Sequence, residues 1–279
     1  MVKQTKGAAL TPRDHKILHC MFDYGILSSR QIGAWFFPGI EKTTVMRRLR
    51  RLSDGEFIRK RGSTPDGTAV FTIDKEGARA IGEEPKIAIY PYHQIIHELT
   101  LNDIRKRLAE LGATKYWMTD KRYRAELIRM RRLDPKEKHR TILPDAIAIF
   151  RHFETPSAKV KIELELHLKS NLRYRSRFRN FGPFIEKPMH FYWYFVKTES
   201  AGNKILRLCD AYGDVYAHQY IGYTVIDDFR ANGPNARLIQ LKTTRLLRDV
   251  MNLEKGNPAQ AGAHPLSREK LPIPDAIAS

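Results

Sequence analysis

KVKIELELHLK, residues 159–169, alternates polar and apolar side chains almost without a break. A two-residue period puts Val160, Ile162, Leu164, Leu166 and Leu168 on one face of a β-strand and Lys161, Glu163, Glu165, His167 and Lys169 on the other. Glu163 and Glu165 therefore share a face. Upstream, TILPDAIAIF, residues 141–150, reads as a buried strand whose one acid, Asp145, follows Pro144. If the two strands pair, three carboxylates converge, and like charges held together call for a cation between them. Mg²⁺ or Mn²⁺ is the expected ion, suited to activating a water and steadying the charge that builds on a scissile phosphate. The competing reading of Glu163 and Glu165 is an ordinary solvated strand surface. The Pro-Asp placement inside an apolar strand and the basic segments on either side favour a site. Lys121, Arg122, Arg124, Arg129, Arg131, Arg132, Lys136, Lys138 and Arg140 precede it, and Arg173, Arg175, Arg177 and Arg179, interleaved with Tyr174 and Phe178, follow it. Such cations are expected to hold phosphate.

The wider composition agrees with a polyanion partner. Lys and Arg total 49 against 31 Asp and Glu, a formal +18 at pH 7, and the excess is clustered rather than spread. The length, 279 residues, suggests two domains, each able to bury a core. The expected division is a flexible N-terminus over residues 1–10, a first domain over 11–84, a second over 85–254, and a flexible Pro-, Ala- and Gly-rich tail over 255–279. No apolar run is long enough to span a membrane and the N-terminus lacks a signal-peptide core, so a cytoplasmic protein without a membrane partner is expected. Cys20 and Cys209 each sit among apolar neighbours and read as buried thiols.

The first domain carries its own signature. Thr11 caps a helix with Pro12 in its first turn, and the helix runs to Tyr24-Gly25; Ser28 or Ser29 caps a second, Arg30 to Phe36; a third runs from about Thr43 to Leu52, with Val45, Leu49 and Leu52 inward. Glu56 to Arg61 and Ala69 to Ile73 read as strands joined by a turn containing Pro65, Asp66 and Gly67. This is the element order of a winged helix-turn-helix, in which the third helix enters the major groove and the wing follows the backbone. Lys42, Arg47, Arg48, Arg50, Arg51, Arg59, Lys60 and Arg61 supply the cations for a double-stranded DNA partner.

Beyond a linker with Pro85 and Pro91, residues 92–111 form an amphipathic helix with Ile95, Ile96, Leu99, Ile104 and Leu108 on its apolar face. His93 and His97 have zincin spacing, but Gln94 stands where that chemistry needs a glutamate base. Met189 to Val196 reads as a central strand, a helix starts at Ala201, Tyr223 to Phe229 reads as a strand, and Arg237 to Met251 as a final helix.

Pro144-Asp145 followed by Glu163-Leu164-Glu165 resembles the PD-(D/E)xK nuclease motif in an E-x-E variant, with Glu165 where Lys is commoner. In order, SRQIGAWFF, VMRRLRRL followed by DGEFIRK, HELTLNDIRKRL, LPDAIAIF and IELELHLKS resemble the bacterial replication-relaxation family, related to mobilisation relaxases of the MobC type. The similarity spans about residues 11–228. It implies an α/β protein in which an N-terminal winged helix-turn-helix precedes a restriction-endonuclease-like mixed-sheet domain. It also implies a metal-dependent nickase or relaxase at a plasmid origin of transfer or replication, working with other mobilisation or replication proteins. Under it Asp145, Glu163 and Glu165 are metal ligands and Glu98 a fourth acid. Lys169 stands in for the motif lysine, and Arg173, Arg175 and Arg177 contact DNA. A non-catalytic winged-helix regulator with a degenerate nuclease fold is the alternative, and the tandem-His motif of tyrosine relaxases is missing, which leaves Tyr174 as a DNA contact or packing residue.

Overall fold

A computed structural model describes residues 9–84, 90–129, 143–151, 159–179, 190–213, 217–251 and 253. The tail from 255, most of the N-terminal segment and the basic stretch 130–142 lie outside the described residues. The chain is mixed α/β and divides into two compact units, Met1–Ile104 and Arg105–Ser279.

In the first unit α1 (Pro12–Tyr24) begins at a capping box: Thr11 caps the Asp14 amide, and the Asp14 carboxylate accepts from the Thr11 amide at 2.7 Å. It ends at Gly25, whose φ of 81° lets its N–H reach back to Met21 O. Ser28 and Gln31 repeat the device at the start of α2 (Ser29–Phe36). α3 (Lys42–Asp54) buries Val45, Leu49 and Leu52. These helices close over a three-stranded antiparallel sheet ordered β1-β3-β2, with β1 Leu27–Ser28, β2 Ile58–Ser63 and β3 Ala69–Ile73. Ile17, Leu18, Met21, Leu27, Ile32, Leu49, Leu52 and Ile58 form the core. The β2–β3 tip is held by Asp66, which accepts from the Thr68 amide and, at 2.6 Å, from Arg30 of α2. The short β1 and α4 (Lys75–Ala80) were not expected.

α5 (Tyr92–Glu110) begins in this unit, and the unit boundary falls within it. Ile95 and Leu99 pack with Ile26 and Val70. Gln31 Nε2 donates to Leu99 O at 2.8 Å, and Asn102 Nδ2 to Ile26 O at 2.7 Å. The helix is not simply amphipathic: Leu99, Thr100, Leu101, Asn102 and Ile104 are all buried, whereas Ile96, placed on the apolar face from sequence, is exposed. Burial all round its middle removes the stripe that a surface helix shows.

The second unit is built on a seven-stranded mixed sheet in the order β10-β9-β8-β7-β6-β5-β4. The strands are β4 Thr114–Thr119, β5 Ala146–Phe150, β6 Lys159–Glu165, β7 His190–Val196, β8 Ile221–Val225, β9 Arg237–Ile239 and β10 Thr244–Leu246. β6, β7 and β8 are parallel and the remaining pairings antiparallel. α6 (Asp120–Arg129) follows β4, and α7 (Asn171–Arg179) and α8 (Glu199–Tyr212) fill the two parallel crossovers. Tyr174 and Phe178 of α7 and Ile205, Leu206 and Cys209 of α8 pack on Tyr194, Val196, Ile221 and Tyr223, which fixes the sheet face those helices cover. On the opposite face Trp193 stacks on Phe195, with Phe150 and Phe229 beside them. Burial pushes the Cys209 thiol up to about 12, as for an inert core cysteine.

Two expectations are corrected here. The strand expected over Tyr223 to Phe229 stops at Val225, and α9 (Ile226–Asn232) starts there with Asp227 and Asp228 in its first turn, where acids favour a helix start. The final helix expected over Arg237 to Met251 is instead the β9–β10 hairpin, closed by Gln240 N–H to Thr243 O at 2.8 Å, and only Leu247–Val250 is helical (α10). Among the described residues no helix is long and apolar enough to cross a membrane.

Candidate functional site

β6 is buried on both faces where the acids lie: Glu163 is 1% and Glu165 3% exposed. A merely solvated strand surface is thereby excluded, because two carboxylates are taken out of water only against compensating charge. In the parallel register Lys161 is opposite Tyr192, Glu163 opposite Tyr194 and Glu165 opposite Val196, so these three polar residues of β6 lie on the face that α7 and α8 cover. Across the antiparallel pairing, Ala146 is opposite Ile162. Asp145, one residue before it, therefore comes beside Glu163. The Asp145 carboxylate accepts the Leu164 amide at 2.7 Å, which ties the Pro-Asp corner to the acidic strand.

The compensating charge comes from two cations of the chain. Lys169 Nζ lies 2.5 Å from Glu165 Oε1 and 3.9 Å from Glu163 Oε2, bridging the pair. Arg177 Nη1 lies 2.6 Å from Glu163 Oε1, in a charge contact that is not aligned as a hydrogen bond. Burial, followed by the Asp145 charge, pushes the Glu163 carboxyl up to about 7, against the pull of Arg177 and Lys169. Burial works against the Arg177 charge, but Tyr194 and Glu163 more than offset it and hold the guanidinium firmly protonated. Lys161 is drawn down to about 8 by burial, and its ammonium donates to Tyr192 Oη at 2.8 Å. Tyr174 Oη accepts from the Lys169 amide at 3.3 Å and faces Glu165; burial and that carboxylate raise its pKa well above the usual value.

Lys169 reaches the cluster from a different place than expected. β6 ends at Glu165, so Lys169 does not lie two steps further along the strand but comes back from the loop before α7. Arg177 is also corrected: expected on a DNA-facing surface, it is turned inward on Glu163, with its side chain only 11% exposed. Helical spacing contains the signal, since Tyr174, Arg177 and Phe178 recur at i, i+3 and i+4 and so share the buried side of α7. Arg173 and Arg175 are exposed. Lys161, Tyr192 and Tyr194 belong to the cluster and were missed, because a lone tyrosine in an apolar strand reads as core.

The carboxylates are hard oxygen donors of the type that suits Mg²⁺ or Mn²⁺. In this structure Lys169 and Arg177 satisfy two of them, and among the described residues no three Asp, Glu, His or Cys side chains are grouped around one point as a metal shell. Glu98, half-buried on α5, belongs to the first unit.

In that first unit the basic residues separate into two kinds. Arg48 is paired with the buried Asp14, Arg59 Nε donates to Asp74 at 2.8 Å, and Arg61 Nε donates to Thr72 Oγ1 at 3.0 Å. Lys42, Arg47, Arg50, Arg51 and Lys60 are exposed and have no acidic partner among the described residues. Arg47 and Arg51 are one helical turn apart on the outer side of α3.

No family model, curated protein or solved structure matches this chain.

Proposed function

We propose that the chain is a duplex-DNA-binding protein of a mobile element that nicks its target in a divalent-metal-dependent reaction. Its first unit is read as a winged helix-turn-helix and its second as a PD-(D/E)xK-like nuclease domain. The observation that carries this reading is the pair of buried carboxylates, Glu163 and Glu165, on one sheet face, with the half-buried Asp145 beside Glu163. So much carboxylate buried at a strand end beside a cationic helix is chemistry for handling phosphate rather than a packing solution.

The exposed cations of α3 and the β2 strand, Lys42, Arg47, Arg50, Arg51 and Lys60, are the residues proposed to seat the duplex. Asp145, Glu163 and Glu165 are those proposed to hold Mg²⁺ or Mn²⁺, which when bound supplies charge for the phosphate and lowers the pKa of a water. Around them Arg177 holds Glu163 in place and Tyr174 fixes the Lys169 backbone. Lys169, its side chain 25% exposed, is able to turn its ammonium from Glu165 to an incoming phosphate oxygen.

The test is to incubate supercoiled circular DNA carrying the element's origin with the protein and Mn²⁺ or Mg²⁺. Open circles are expected with the wild type and metal, and none with Glu163→Gln. Equal nicking by both proteins overturns the assignment. A second reading, a regulator that binds DNA without cutting it, is favoured by the neutralisation of the acids by Lys169 and Arg177. It predicts duplex binding with no open circles under any metal.

A further inference from the structure

At the mouth of the acidic cluster the chain carries two exposed leucines. Leu172 is 74% and Leu168 38% exposed, among few large apolar side chains so exposed in the described residues. They flank Lys169, whose Nζ is 2.5 Å from Glu165 and whose amide is hydrogen-bonded to the buried Tyr174. The loop bearing Leu168 and the first turn of α7, which bears Leu172, are thus fastened at the site. Their neighbours in sequence are exposed polar or cationic groups: His167, Ser170, Asn171, Arg173, Arg175 and Arg179. An exposed leucine set among cations does not suit an apolar protein partner, whose matching surface would have to desolvate those guanidiniums. It suits a polyanion whose interior is apolar, and DNA has that property: phosphate outside, stacked bases within. Apolar wedges that part a base step beside backbone-gripping arginines are a known mode of DNA deformation.

We infer that the exposed Leu172 and Leu168 form a wedge that inserts between bases of the DNA strand while Arg173, Arg175 and Arg179 grip the flanking phosphates, opening the stack beside the carboxylate cluster. This rests on the reading of the second unit as DNA-handling and adds what that unit does to the strand it holds. Parting the stack presents a single, splayed phosphodiester to Lys169 and the acids.

The experiment uses the full chain and a single strand of about 16 nucleotides, the upper end of single-strand site sizes, alternating 2-aminopurine and adenine so that any bound register reports. 2-Aminopurine is quenched when stacked. Binding is followed by anisotropy of an end label, and stacking by the 2-aminopurine emission. The wild type is expected to bind and raise the emission at saturation. Leu168→Ala/Leu172→Ala should bind with the same salt dependence but lose the rise, while Arg173→Ala/Arg175→Ala should bind more weakly with a shallower salt slope. Both leucines are solvent-facing, so their removal leaves the core intact. Binding by the wild type without a rise, or an equal rise in the leucine variant, overturns the wedge alone. Absence of binding overturns the wedge together with the DNA reading of this unit.

Discussion

Arg48 Nε donates to Asp14 Oδ1 at 2.9 Å, from a helix whose neighbouring arginines, Arg47 and Arg50, point into solvent. Asp14 is fully buried and also forms the capping box of α1, so one carboxylate joins two helices. Arg48 is thus part of the scaffold, whereas Arg47, Arg50 and Arg51 are not. Arg48→Ala is expected to leave a buried charge unpaired and to destabilise by about 3–5 kcal/mol, seen as a lower midpoint in chemical denaturation. The triple variant Arg47→Ala/Arg50→Ala/Arg51→Ala should keep that midpoint. It should bind duplex more weakly, its log-log salt slope falling by up to about 0.9 for each phosphate no longer neutralised. If the triple variant unfolds, or binds with unchanged slope, the separation of scaffold from interface is wrong.

The same pair predicts a pH dependence. Burial alone would raise the Asp14 carboxyl, but hydrogen bonds from Arg48 and Thr11 hold it below its ordinary 3.8. A carboxyl depressed in the fold contributes stability that is present above the unfolded value and lost as the pH falls through the folded one. The stability difference between wild type and Asp14→Asn should therefore shrink only below about pH 4. A difference that already shrinks between pH 7 and pH 5 refutes it.

Glu163 gives the opposite sign. Its carboxyl is raised from 4.5 to about 7, so the folded chain holds a proton that the unfolded chain releases. The stability tied to that proton is fully present below pH 4.5 and is lost as the pH rises to about 7. Melting temperatures of wild type and Glu163→Gln, measured side by side, should diverge over this window, the wild type losing ground with rising pH. Parallel curves would mean that Arg177 and Lys169 keep Glu163 ionised throughout.

How much of this was legible follows from what alternation encodes. Residues 159–169 announce a strand and its two faces, and the shared face of Glu163 and Glu165 was visible in the spacing. Where the strand ends was not visible. β7 supplies partners only up to Val196, opposite Glu165, and beyond that residue the same alternation becomes the loop that brings Lys169 back. Arg177 shows the complementary failure: a run of arginines reads as surface until the helix that carries it is placed on a sheet. The caps at Thr11, Ser28 and Gly25 were legible because they depend on residues within a turn of one another. The β9–β10 hairpin was missed because short strands leave too few residues to show a period.

Gly202 offers a test of the second unit's packing that is independent of function. It lies in α8, where alanine would ordinarily favour the helix by about 0.5–1 kcal/mol. A Cβ there would sit 2.4 Å from the ring of Tyr223, which is fully buried and hydrogen-bonded to Asn203. The ring has no room to retreat, so overpacking should win and Gly202→Ala should destabilise by about 1–3 kcal/mol. In a double-mutant cycle with Tyr223→Leu much of that loss should be relieved; strict additivity would place the strain elsewhere.

The last prediction separates the two readings of the acidic cluster through metal binding alone. Lys169 lies between Glu163 and Glu165, so a divalent ion at those carboxylates has to compete with its ammonium for the same oxygens. Removing that charge while keeping most of the stem, in Lys169→Met, should tighten Mn²⁺ binding, followed by the loss of the free-ion paramagnetic resonance signal. Asp145→Asn should weaken it, since it removes the negative charge beside Glu163. A nickase that uses Lys169 against phosphate should then combine tighter metal binding with slower nicking in Lys169→Met, because the ion gains its oxygens while the phosphate loses its cation. A regulator whose acids serve only the fold predicts something else: no measurable Mn²⁺ binding in the wild type, and in Lys169→Met a loss of stability from two carboxylates left facing each other, with duplex affinity unchanged. Mn²⁺ binding that is equal in wild type, Lys169→Met and Asp145→Asn would remove the cluster from metal chemistry altogether.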